Sequence, residues 1–104
     1  MPMATWHENT EPGLHPDPQQ PDRLLVSGDW TFLQAQRLLD LIASSGKNVQ
    51  TLDARAITRL DASGSQLLLS LMTRLGLPAT ALAAKPEHAA LIEAVRNSGA
   101  SLPP

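Results

Sequence analysis

The chain of 104 residues contains no cysteine. It can therefore form no disulfide, thiolate nucleophile or zinc-thiolate centre, and nothing in it points to an oxidising compartment. Aromatic residues make up only 3% of the chain, so a core has to be built from Leu, Ala, Ile and Val. There is no cluster of basic charge. The eight Lys and Arg residues are scattered and the formal net charge is -2, which sets nucleic-acid binding aside. Long apolar runs are missing too. The longest stretches free of charge, Ala62 to Thr73 and Leu75 to Ala84, fall short of the roughly 18 to 20 apolar residues that cross a bilayer. The opening "MPMATWHENTEP" has neither a basic start nor an apolar run and does not read as a secretory signal. A cytoplasmic protein is the expectation.

What is present suits one domain, with 42% apolar residues. Five of the nine prolines fall between Pro2 and Pro21. Each proline ring removes a backbone donor and restricts the residue before it, so "PGLHPDPQQPD" reads as tail or loop rather than helix or central strand. Residues 1–22 are accordingly read as a Pro-rich tail, with an edge strand near 4–8 ("ATWHE") because Trp6 is costly to leave wet. The domain itself is read as 23–98, and 99–104 as a tail or the start of a linker.

Within the domain, "RLLVS" (Arg23 to Ser27) reads as a strand between Pro21 and Gly28. From Thr31 to about Gly46, Phe32, Ala35, Leu39 and Ile42 recur at helical spacing, with Asp29 or Thr31 as the cap. A buried strand is expected near Gln50 to Ala54. A leucine-rich helix then runs from about Ser63, with Leu67, Leu68, Leu71, Met72 and Leu75 on one side and Gly76 and Pro78 as the stop. "ATALAA" reads as a short strand. Pro86 opens a third helix, with Leu91, Ile92 and Val95 on one face before Gly99. Strands separated by single helices imply an α/β fold, with a mostly parallel sheet of four to five strands and helices mainly on one face.

The stretch "LDARAITRLDASGSQLLLSLMTRL", with Leu52-Asp53-Ala54 and Asp61-Ala62-Ser63-Gly64, resembles the core of STAS domains, the sulfate-transporter and anti-sigma-factor-antagonist fold. Together with "SGDWT" (Ser27 to Thr31) and "PEHAALIEAV" (Pro86 to Val95), it looks most like the STAS domain N-terminal to the permease of Mla-type lipid ABC transporters. That resemblance spans Leu24 to Val95. It implies a non-catalytic regulatory domain, without cofactor, that docks on a transporter ATPase and permease at the cytoplasmic face of the inner membrane. The ATPase would be another chain, because no G-x-x-x-x-G-K-[ST] loop occurs here. A free-standing STAS protein, either a transporter subunit or an anti-sigma antagonist, is the alternative. STAS domains can also pair through exposed helices or sheet edges, so a homodimer is compatible with the resemblance.

The resemblance places a partner-docking or switch loop at Asp61, Ala62, Ser63, Gly64 and Ser65. In anti-sigma antagonists the residue after the aspartate carries the phosphate, and here it is Ala62, which has no hydroxyl. Ser63 is the next acceptor, near a helix N-terminus where phosphate is favoured. It reads as a helix-start residue first, and the native protein is expected to carry no phosphate. Asp61 suits a helix cap as well as a docking tip. Gly64 either permits a close backbone approach or loosens the turn, and Trp30 reads as a core or edge anchor. His7, His15 and His88 are too dispersed for a metal site. Ser63, His88 and Asp53 or Asp61 could be drawn as a hydrolase triad, but no G-x-S-x-G elbow accompanies them. The run "QLLLSLMTRL" has little positive charge beyond Arg74, so it reads as core-packing rather than membrane-surface helix.

Overall fold

Leu24 and Val26 alternate with Arg23, Leu25 and Ser27 along one strand, and Leu52 and Ala54 alternate with Thr51, Asp53 and Arg55 along the next. The first set is buried and the second half-buried or exposed, so the sheet is apolar on one face only. The computed structural model describes residues 11–45 and 48–100. In chain order these form β1 (Gly13–Asp17), β2 (Gln20–Trp30), a short 3₁₀ turn (Phe32–Gln34) leading into α1 (Ala35–Ala43), β3 (Thr51–Leu60) and α2 (Ala62–Leu75). A second 3₁₀ turn (Ala79–Ala81), β4 (Leu82–Ala83) and α3 (Pro86–Ala100) follow.

The sheet runs β1-β2-β3-β4, with β1 antiparallel to β2 and the other neighbours parallel. The expected α/β architecture with a mostly parallel four-stranded sheet is therefore present. Leu38 and Ile42 of α1, Leu68, Leu71 and Met72 of α2, and Ile92 of α3 share one core cluster with Leu24, Val26, Leu52, Ala54 and Ile57. All three helices thus cover the same apolar face. Trp30 is buried in this core as expected, and its indole Nε1 donates to the Ser27 carbonyl at 3.0 Å. Among the described residues no helix is long and apolar enough to cross a membrane.

Several boundaries differ from the sequence reading. The sheet begins in the segment read as a tail: Gly13–Asp17 is a strand, despite Pro16. Proline is tolerated there because β1 is an edge strand among the described residues, where one side makes no ladder bonds. The strand expected near 4–8 lies outside the described residues. β2 extends from Gln20 to Trp30 and carries Gly28 and Asp29 inside it. Gly28 has φ 80, and a Cβ there would stand 2.0 Å from the Glu11 carbonyl oxygen, so only glycine fits the passing chain. Neither Asp29 nor Thr31 caps α1. Asp29 is buried in β2, and the 3₁₀ turn after Thr31 has no side-chain cap. α1 starts four residues later than expected, and the face it buries is Leu38 and Ile42. Phe32 and Leu39, placed on the buried stripe by the sequence, are 63% and 49% exposed. The expected "ATALAA" strand reduces to Leu82–Ala83, whereas α2 and α3 match the sequence reading within about two residues.

Candidate functional site

The stretch around Asp61 forms a corner where two chain connections meet. β2 ends at Trp30 and β3 ends at Leu60, side by side in register. Asp61 follows directly, its amide donating to the Trp30 carbonyl at 3.3 Å. Its backbone is extended, which turns the side chain back over the first turn of α2. Oδ1 accepts the Gly64 amide at 2.8 Å, and Oδ2 accepts the Phe32 amide at 3.0 Å. One carboxylate therefore caps α2 and pins the turn that opens α1. The cap satisfies an otherwise orphaned amide and sets a negative charge against the positive end of the helix dipole.

Gly64 resolves the two readings of its role in favour of close approach. A Cβ on Gly64 would lie 1.6 Å from the Trp30 carbonyl oxygen. No side chain fits, so α2 starts hard against the end of β2. Ser65, the last residue of the expected loop, is fully buried, and its hydroxyl has no partner among the described residues. It therefore drops out of any contact surface and belongs to the packing beneath the corner. Ala62 and Ser63 are exposed. Ser63, in the first turn of α2, makes no side-chain hydrogen bond among the described residues and is exposed to modification or contact.

Two residues at this corner were not read as surface from the sequence, which put Phe32 on the buried stripe and gave Leu33 no role. Phe32, whose amide donates to Asp61, and Leu33 beside it are 63% and 77% exposed. The usable signal was Leu33, an apolar residue that falls off the helical stripe drawn through Phe32, Ala35, Leu39 and Ile42. The corner thus presents a hydroxyl, a capped carboxylate and two large apolar side chains on a rigid base.

The hydrolase arrangement finds no support in these contacts. Both oxygens of Asp61 are taken by backbone amides, and Asp53 is held by Arg55, whose Nε and Nη2 donate to Oδ1 and Oδ2 at 2.9 Å each. Neither carboxylate is spare to orient an imidazole. Arg55 holds the Asp53 carboxyl down at about 2 against an ordinary 3.8. This pair lies on the helix-free face of the sheet, not at the corner. His88, near the start of α3, is half-buried with an unpartnered Nδ1 among the described residues, and His15 is exposed on β1. No group of His, Asp and Glu among the described residues could hold a metal ion. A shallow groove of about 400 Å³ runs between α2 and α3, lined by Leu69, Met72, Leu77, Val95 and Arg96, at a different place from the Asp61 corner.

No protein-family model matches the chain. A search of the curated proteins finds no match to it either.

Proposed function

We propose that this chain is a non-catalytic STAS-type interaction domain that regulates or scaffolds an Mla-type lipid ABC transporter. It would act at the cytoplasmic face of the membrane by docking on the ATPase and permease. The motif resemblance from Leu24 to Val95 supports this reading, as do the alternation of strands and helices and a helix-covered sheet with one rigid corner. The observation that carries it is the double duty of Asp61, which fixes the start of α2 and the Phe32 turn together and leaves Ala62, Ser63, Phe32 and Leu33 on the outside. Such a preformed tip binds without first being ordered, which is what a regulatory contact needs. The lack of a hydroxyl at Ala62 argues against the anti-sigma antagonist form.

The test is co-purification of the full chain with the transporter ATPase, comparing the native protein with Ser63→Glu and Asp61→Ala. Loss of the complex by folded variants is the expected result. If both variants fold and retain ATPase as the native chain does, the docking role of the corner is wrong.

A further inference from the structure

β3 is ten residues long, yet β4 follows it only at Leu52 and Asp53. The Asp53 carboxylate also accepts the Arg55 amide at 3.1 Å, which closes the backbone just beyond. From Ala56 to Leu60 the side of β3 away from β2 has no hydrogen-bonded neighbour among the described residues. That is about 17 Å of strand edge. An exposed edge of this kind accepts an extended peptide as an added strand, main-chain hydrogen bonds supplying affinity and side chains selectivity. The register shifts of β3 against β2 keep any such strand short.

Charge selects the peptide. Arg23, Arg37, Arg55 and Arg96 each face a carboxylate, and Arg74 donates to the Ala43 carbonyl. Among the described residues Arg59 and Lys85 are the two cations left without a partner, and both border the open edge. Arg59 lies on it and is exposed. Lys85 comes two residues after Ala83, the partner of Asp53, so its Cα is within about 7 Å of the last β4 pairing and its side chain can reach the start of the open stretch. The nearby carboxylates are committed elsewhere. Asp61 gives both oxygens to backbone amides, and Asp29, opposite Arg59 in register, is buried in β2 and forms no ion pair with it. A second copy would bring the same two cations and be repelled, whereas an acidic strand gains from both. We propose that the β3 edge from Ala56 to Leu60 is the docking site for an extended acidic segment of a partner protein, which adds as a strand and sets carboxylates against Arg59 and Lys85. This inference does not rest on the transporter reading.

The probe is a blocked nine-residue peptide in which valine alternates with threonine, two of the threonines being replaced by glutamates four residues, or about 13 Å, apart. It is titrated into the isotope-labelled full chain and followed by NMR and amide exchange. The expected result is slowed exchange confined to β3 beyond Asp53, binding that weakens with salt, and an affinity lower by about tenfold or more in Arg59→Glu/Lys85→Glu. Arg59→Gln/Lys85→Gln, which adds no charge, gives the same reading with a smaller loss if the reversal unfolds the chain. Equal binding by a peptide with lysine in place of glutamate would overturn the proposal, and so would equal binding by one with a central proline, which cannot complete the ladder. No binding at millimolar peptide, or protection that falls elsewhere, would overturn it too. Edge protection that is present without peptide and vanishes on dilution would assign the edge to a second copy and overturn it as well.

Discussion

Phe32 donates its backbone amide to Asp61 Oδ2 at 3.0 Å, across 29 residues of sequence, and this single bond ties the entrance of α1 to the entrance of α2. Because the other oxygen caps Gly64, the two helix starts share one carboxylate. Asp61→Ala should therefore cost more than a simple cap, about 2 to 3 kcal/mol. Asp61→Asn, with one acceptor oxygen instead of two, should lose roughly half of that. Urea unfolding of the three proteins checks it. Equal stability of Asp61→Asn and the native chain would mean that only one of the two bonds contributes.

At Gly64 the argument is steric. A methyl group there would collide with the Trp30 carbonyl rather than with a movable side chain, so Gly64→Ala should destabilise by about 3 kcal/mol or more, through displacement of α2 from the end of β2. The neighbouring change is its control. Ser65→Ala removes a buried hydroxyl without a partner among the described residues, and should be neutral or stabilising by up to about 1 kcal/mol. Thermal unfolding of both variants suffices, and a tolerated Gly64→Ala would show that the corner is not as tight as described.

The Asp53–Arg55 pair predicts an acid response. Arg55's side-chain hydrogen bonds, opposed in part by burial and helped by its backbone amide, hold Asp53 at about 2 rather than 3.8. A depressed carboxyl favours the folded state when ionised. Its contribution is complete above about pH 5 and disappears as pH falls from near 4 toward 2. In Arg55→Gln that part of the slope should go, so the stability difference between native and variant shrinks across this window. A difference that stays constant from neutral pH to pH 2 would assign the Arg55 effect to packing instead.

Much of the fold was legible because its strongest signals are local. The Leu67–Leu75 periodicity, Gly76 after it and Pro86 before the last helix mark α2 and α3, and both helices lie where those residues put them. Asp61 as a cap was equally readable, since capping depends on a residue type at one position. Long-range geometry was less legible. β1 was hidden by prolines that an edge position tolerates. The inward face of α1 was misjudged because the helix begins at Ala35, with its first apolar neighbours in a 3₁₀ turn that shifts the phase. Ser65 looked like part of an exposed loop, and only the contact of Gly64 with Trp30 reveals that α2 sinks into the core at that point.

β4 pairs with β3 only at Leu52 and Asp53. Beyond them no strand among the described residues lines that side of β3, so a central strand carries a stretch of open edge, the feature by which proteins template one another into fibrils. Two register shifts against β2, between Leu25 and Ser27 and between Gly28 and Asp29, bend β3 along this stretch, and Arg55, Thr58 and Arg59 are exposed on it. Kinks and charge are the usual protection against edge-to-edge growth. The irregularities and charge of one strand thus guard this open edge, and straightening or neutralising β3 would be felt first as aggregation rather than as loss of fold.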